Sequence, residues 1–160
     1  MIRKVTKQDF DFIYNLYMHP ATNGFLLYEP MLASEFESIF ADLLQQEVLY
    51  IFENDGERIG MFKLIPLTYR CSHIAYLGGL AILPRFSGQG YGYKMLESIL
   101  KLVKSKGFVR VELSVADINE PAIKLYEKAG FKKEGVLRKY AYLKKENRFM
   151  DEIMMSWLNE

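Results

Sequence analysis

Between Leu80 and Gly92 the chain reads Leu80-Ala81-Ile82-Leu83-Pro84-Arg85-Phe86-Ser87-Gly88-Gln89-Gly90-Tyr91-Gly92. An apolar, strand-like run stops at a proline and passes into glycines at the alternate positions 88, 90 and 92. A helical pattern, Tyr93 to Leu102, follows at once. A strand, a glycine turn and a helix N-terminus in that order make an anion site. The first-turn N–H groups have no intrahelical partner, and the helix dipole adds partial positive charge there. Glycine lets a phosphate approach the backbone and tolerates φ > 0. The spacing therefore predicts a phosphate cradle of backbone N–H groups over Gly88, Gln89, Gly90, Tyr91, Gly92 and Tyr93, with a purely structural tight turn as the alternative.

Other chemistries fit less well. A P-loop needs Gly-Lys-Ser/Thr, and neither that lysine nor the hydroxyl is present. The dinucleotide fingerprint wants Gly-x-Gly-x-x-Gly, whereas these glycines fall as Gly-x-Gly-x-Gly after a mid-chain strand. Phe86-Ser87-Gly88 lacks the preceding glycine of a nucleophile elbow. Two histidines and one cysteine, far apart, offer no metal-ligand spacing, so no metal is expected.

A second block stands further on: Asn119-Glu120-Pro121-Ala122-Ile123-Lys124-Leu125-Tyr126-Glu127-Lys128-Ala129-Gly130-Phe131. The loop from Pro84 to Gly92 resembles the acetyl-CoA pyrophosphate loop of the GNAT superfamily of N-acetyltransferases. The pattern Arg/Gln-x-x-Gly-x-Gly/Ala reads here as Ser87-x-x-Gly90-x-Gly92, with Ser87 in place of the usual Arg or Gln. The second block is similar to the family's Asn-x-x-Ala-x-x-x-Tyr-x-x-x-Gly-Phe signature, and the two occur in the family's order.

The resemblance implies a donor, acetyl-CoA, and roles for particular residues. Leu80, Ala81 and Ile82 would hydrogen-bond the pantetheine arm through their main chain, as an added pseudo-strand. Tyr126 would be the general acid that protonates the departing thiolate, since a phenol near pKa 10 is protonated at neutral pH. Asn119 would contact the cofactor, and it could equally cap the helix ahead of Pro121. The general base stays open among Glu29, His73, Glu112 and a bound water, the water being favoured.

These residues need elements to hold them. Ile2 to Val5 reads as a short strand, and Thr6 to Asp9 as a helix start close to a capping box. Phe10, Ile13, Tyr14 and Tyr17 recur at helical spacing. An irregular segment punctuated by His19-Pro20, Asn23-Gly24 and Glu29-Pro30 follows; by resemblance it shapes the acceptor pocket. Ser34 opens a second helix with Phe36, Ile39, Phe40, Leu43 and Leu44 on its apolar face. Strands are expected at Leu49 to Phe52, Arg58 to Leu67 and Ile74 to Ile82, the first two joined by an Asn54-Asp55-Gly56 hairpin turn. After the loop helix, Val109 to Val115 makes a strand with its four valine and leucine positions on one face. Pro121 and Gly130 bracket a fourth helix, and Val136 to Leu143 and Phe149 to Leu158 close the chain as strands. The expectation is a mixed α/β fold over residues 1–160 in one GNAT-like domain, order β-α-α-β-β-β-α-β-α-β-β, with a mostly antiparallel central sheet of about seven strands and about four helices.

Composition narrows the class. Half the residues are hydrophobic and 14% aromatic, with net charge +1. That excludes a disordered chain and gives no basic face for nucleic acid. A single cysteine fits a reducing compartment, and no apolar run spans a membrane, so a cytoplasmic protein is expected. The leading expectation is an acetyl-CoA-dependent N-acetyltransferase acting on a primary amine, by direct attack in a ternary complex. The apolar Phe25-Leu26-Leu27-Tyr28 favours a small amine or amino acid. A protein N-terminal acetyltransferase and a non-catalytic acyl-CoA sensor are the alternatives. The apolar tail Ile153 to Leu158 could pair in a homodimer.

Overall fold

The computed structural model describes residues 1–160. Its elements are β1 (Ile2–Lys4), α1 (Phe10–Met18), α2 (Pro20–Asn23), α3 (Ala33–Gln46), β2 (Leu49–Asn54), β3 (Glu57–Pro66), β4 (Ile74–Ile82), α4 (Tyr91–Ser105), β5 (Arg110–Ala116), α5 (Glu120–Lys128), β6 (Lys132–Leu143) and β7 (Arg148–Leu158). The strands form a seven-stranded sheet in the order β1-β2-β3-β4-β5-β7-β6. The pairs β1–β2, β2–β3, β5–β7 and β6–β7 are antiparallel, and β4–β5 is parallel. This is the mixed α/β architecture expected from sequence. No helix is long and apolar enough to cross a membrane.

The chain divides into two compact units, Met1–Leu64 with Gly79–Met95, and Ile65–Gly78 with Leu96–Glu160. The core of the first is aromatic and aliphatic, with Ile13, Leu16, Tyr17, Phe36, Ile51, Met61 and Phe62 wholly buried. Phe36 is its hub, its ring lying 5.6–6.3 Å from those of Phe10, Tyr14, Tyr17, Tyr28 and Phe40. Helical spacing places Phe10, Tyr14 and Tyr17 on one stripe of α1 and Phe36 and Phe40 on one stripe of α3, with Tyr28 joining them from the segment between. The entry to α1 is fixed by charge. A 3-10 turn at Lys7–Asp9 precedes it, and the buried Asp9 carboxylate accepts the Thr6 N–H at 2.9 Å. Asp9 also binds the Arg3 guanidinium bidentately at 2.8 and 2.9 Å and Arg58 at 3.3 Å. The Arg3 hydrogen bonds hold the Asp9 carboxyl far below the usual carboxylate range.

One helix more is present than the sequence suggests. The segment after α1, expected to be irregular, contains the single-turn α2. Pro20 pre-sets its first turn, and His19 Nδ1 accepts the Ala21 N–H at 3.0 Å. Asn23 then ties the segment down, donating to Tyr17 O at 2.8 Å and Tyr28 O at 2.9 Å. The second expected helix start also shifts: Leu32, not Ser34, precedes α3, with Glu35 Oε2 accepting the Leu32 N–H at 2.7 Å.

In the second unit Val111, Leu113 and Val115 of β5 point into the core, but Val109 is 49% exposed and lies before the strand. Its N–H donates to His73 O, so backbone pairing rather than burial fixes that position. β5 pairs in register with β7 from Arg110–Leu158 to Ala116–Glu152. With β4 it pairs only from Ile74–Arg110 to Tyr76–Glu112. β6 bends at irregularities between Lys133 and Gly135 and between Leu137 and Ala141. At the second bend Lys139 adopts φ 51° and its N–H donates to Asp151 Oδ1.

Candidate active site

In the first unit the stretch expected to form the cradle runs from the end of β4 through a turn into α4. β4 ends in Leu80-Ala81-Ile82, with Ala81 buried. Leu83 then donates its N–H to Ile59 O at 2.9 Å. A 3-10 turn over Pro84–Phe86 follows, closed by Phe86 N–H to Leu83 O and Ser87 N–H to Pro84 O. Gly88 and Gly90 have φ of 74° and 81°, a region that L side chains avoid, and a Cβ on either would meet no atom within 4 Å. So these two are glycine for backbone conformation and open approach, not for packing. Gln89 Nε2 donates to Arg85 O at 2.8 Å and braces the turn.

Helix α4 begins two residues before the sequence pattern suggested, at Tyr91, so Gly92 lies inside its first turn. Gly90 O accepts the first intrahelical hydrogen bond, from Lys94 N–H at 3.2 Å. The N–H groups of Tyr91 and Gly92 therefore precede the helix ladder and face outward along its axis. Tyr91 stacks edge-on against Phe86 at 5.4 Å, and Arg85 and Lys94 lie over those two rings at 4.7 and 5.1 Å. The turn is thus flanked by two cations. Free backbone donors and helix polarity at such a terminus favour an oxyanion in general.

Leu80, Ala81, Ile82 and Gly88 to Tyr93 form one continuous stretch of the first unit, whereas Asn119 and Tyr126 lie in the second. Asn119 is the N-cap of α5, its Oδ1 accepting Ala122 N–H at 3.4 Å, so the capping alternative is realised. Pro121 is the second residue of that helix rather than the first, and Gly130 beyond its end has φ 96°. Tyr126 is buried, with its ring 5.7 Å from Phe131. Burial and the nearby Tyr76 push its phenol well above its ordinary pKa, so it stays protonated. Tyr76 in turn shares a 3.1 Å hydrogen bond with Ser114 Oγ, just where β4 and β5 cease to pair.

The candidate bases separate. Glu112 is held by Arg110 at 3.0 Å, and Arg110 also grips Glu134 bidentately at 2.8 and 2.6 Å. Those contacts, with Ser156 Oγ, bring the Glu134 carboxyl down to about 2. His73 is exposed and Glu29 half-buried.

Sequence reasoning missed a second polar group of the first unit. Lys63 is only 7% exposed on β3, yet it makes no hydrogen bond or ion pair; its Nζ lies 5.5 Å from the centroid of the Tyr28 ring. Burial lowers its pKa. Beside it the Tyr17 hydroxyl is wholly buried without a hydrogen-bond partner, and Gly79 adopts φ 57°. One signal was available. Ile59, Met61, Phe62 and Leu64 make β3 a strand buried on both faces, and Lys63 is the one charge within that run.

Comparison with known proteins gives the family and the fold. A model of the acetyltransferase (GNAT) family matches residues 10–131. The putative [ribosomal protein bS18]-alanine N-acetyltransferase of Bacillus subtilis is 25% identical over 141 residues, 87% of this chain and 85% of that protein. The SPbeta prophage-derived uncharacterized N-acetyltransferase YokL of the same organism is 30% identical over 93 residues; the match spans 58% of this chain and only 51% of that protein. The fold is also that of spermidine N-acetyltransferase from Vibrio cholerae, solved with CoA and spermine. The TM-score is 0.85 at 23% identity, covering 99% of this chain and 94% of that one. The chain belongs to the acetyltransferase (GNAT) family, a family of acetyl-CoA-dependent N-acetyltransferases.

Proposed function

We propose that this chain transfers the acetyl group of acetyl-CoA to the primary amine of a small molecule, an amine or an amino acid, by direct attack in a ternary complex. The observation that carries the donor assignment is the pair of positive-φ glycines, Gly88 and Gly90, turning the chain into the N-terminus of α4. In this reading the backbone N–H groups of Gly88 to Tyr93 take the pyrophosphate. The main chain of Leu80, Ala81 and Ile82 takes the pantetheine arm, and Asn119 contacts the cofactor while capping α5.

The chemistry balances simply. The amine nitrogen attacks the thioester carbonyl carbon, the C–S bond breaks, and the thiolate takes the proton of the Tyr126 phenol. The proton lost by the amine passes to a bound water, which supplies the base, and is returned to the Tyr126 oxygen, so that the phenol is restored and CoA leaves as its thiol. Much of the barrier reduction comes from holding the two reactants in line. The acceptor segment is apolar, with Phe25 47% and Leu27 73% exposed and Tyr28 packed on Tyr17 and Phe36, and this supports an acceptor with an apolar side chain.

A protein N-terminus is the second reading, supported by the near full-length match to the bS18-alanine enzyme. Thiol release from acetyl-CoA across a panel of amines, L-amino acids and an alanine-starting peptide tests both. Release with the small acceptors is the expected result. Release with the peptide alone would assign the chain to protein N-termini.

A further inference from the structure

We propose that Glu152 is the proton acceptor of the transfer, the carboxylate to which the bound water hands the amine's proton beside the opening between β4 and β5. This rests on the acetyltransferase reading above and deepens it.

The residues all belong to the second unit. Tyr76 and Glu112 are the last paired residues of β4 and β5. Beyond them the strands part, and Tyr76 Oη and Ser114 Oγ, 3.1 Å apart, bridge the start of the opening. Alternate residues of a strand share a face, so Glu112, Ser114 and Ala116 lie together on β5. Directly opposed antiparallel residues share a face as well, and Ala116 opposes Glu152 of β7. Glu152 is therefore a diagonal neighbour of Ser114. On its other side Glu152 opposes Leu137, beyond which β6 slips out of register as far as Ala141. Leu137 also lines, with Val136 and Arg138 to Tyr140, an open cleft of about 580 Å³. Bulges of this kind commonly border active sites. Glu152 thus stands on the strand between the opening and the cleft.

Its charge is uncommitted. Arg110 occupies Glu112 and Glu134, and the adjacent Asp151 accepts the Lys139 N–H at 2.7 Å. Glu152 is half-buried and takes part in no hydrogen bond or ion pair. Burial raises the Tyr76 phenol; the Ser114 hydrogen bond opposes this, and the charges of Tyr140 and Glu152 add to it. Burial and Tyr76 raise Tyr126 in turn. Tyr76 is therefore within electrostatic reach of both Glu152 and the proposed acid. A water alone holds an ammonium's proton poorly, whereas a carboxylate behind it can keep it. As the N–C bond forms and the C–S bond breaks, the proton passes through the water to Glu152, which becomes a carboxylic acid. Tyr126 protonates the thiolate. The proton on Glu152 then moves by way of water and the Tyr76 hydroxyl to the Tyr126 oxygen. Both side chains are restored, and the products are the amide and the CoA thiol.

The test follows thiol release against pH, with whichever acceptor of the amine, L-amino-acid and peptide panel the wild-type chain turns over fastest. Glu152→Gln should lower kcat by about 10²-fold at neutral pH. KM, the circular dichroism spectrum and acetyl-CoA affinity by calorimetry should stay near wild type. The variant should recover as pH rises, by about tenfold per unit up to the amine's own pKa, because a neutral amine needs no acceptor. The other titratable groups beside Glu152 are the phenols of Tyr76 and Tyr140 and, through Tyr76, of Tyr126, and phenols ordinarily ionise near pH 10. Glu152→Asp, which draws the carboxylate back by one methylene, should fall between the two at every pH. An unchanged kcat in Glu152→Gln would overturn the assignment, as would a raised KM with kcat intact or a loss that high pH does not recover. A wild-type chain that releases no CoA with any acceptor would defeat the acetyltransferase reading itself.

Discussion

Gly60 faces Ala81 so closely that a Cβ on Gly60 would lie 2.5 Å from the Ala81 carbonyl oxygen and 2.9 Å from Ile82 Cδ1. The glycine on β3 therefore sets how closely the end of β4 approaches, and that end is the segment proposed to pair with pantetheine. Gly60→Ala must push against backbone, which has nowhere to yield. The expected cost is about 1–3 kcal/mol, a Tm lower by several degrees, together with weaker acetyl-CoA binding. Thermal unfolding and calorimetry check it; a variant as stable as wild type would contradict the packing described.

Gly90→Ala probes conformation alone, because no atom lies within 4 Å of the added methyl. With φ at 81°, an L residue is strained by about 1–2 kcal/mol. Acetyl-CoA affinity is expected to fall while the rest of the fold is retained, as judged by circular dichroism and titration.

Tyr126→Phe removes the proposed acid and keeps the buried ring. Turnover should drop by about 10²-fold, the scale of a general-acid contribution. CoA affinity should stay near wild type. Equal turnover would remove Tyr126 from the chemistry. A non-catalytic acyl-CoA sensor, in contrast, would have no turnover for the substitution to reduce.

Asp9 gives a pH dependence with a definite sign. Its folded pKa is depressed, so between the folded and the unfolded values the unfolded chain binds more protons and stability rises with pH. The contribution is complete above the unfolded value, about 4, and is lost as pH falls toward the folded one. Asp9→Asn should cost about 1–3 kcal/mol at pH 7. It should also flatten the stability profile between about pH 5 and pH 2. Urea midpoints across that range measure it.

Much of this architecture was legible because local signals agreed with the global fold. Ile74 to Ile82 needed only its apolar run, and the loop needed only its glycines. The expected boundaries slipped where a second interaction competed with periodicity. Asp9 adds a 3-10 turn before α1, His19 and Pro20 nucleate α2 in a segment that looked irregular, and α4 starts at Tyr91 because Gly90 supplies its first acceptor. Lys63 stood out only as the one charge in an apolar strand; its meeting with Tyr17 did not. Residues 17, 63 and 79 meet only through long-range packing, which no spacing rule encodes.

The most direct measurement is thermal unfolding of the chain with and without acetyl-CoA, alongside amine-dependent release of CoA. At about 100-fold over Kd, donor binding should stabilise the fold by roughly 2.7 kcal/mol, a Tm rise of several degrees. That shift, accompanied by release with small amines or amino acids, is the predicted result. Absence of any shift at saturating acetyl-CoA would contradict the phosphate cradle at Gly88 to Tyr93, and with it the donor on which the proposed chemistry depends.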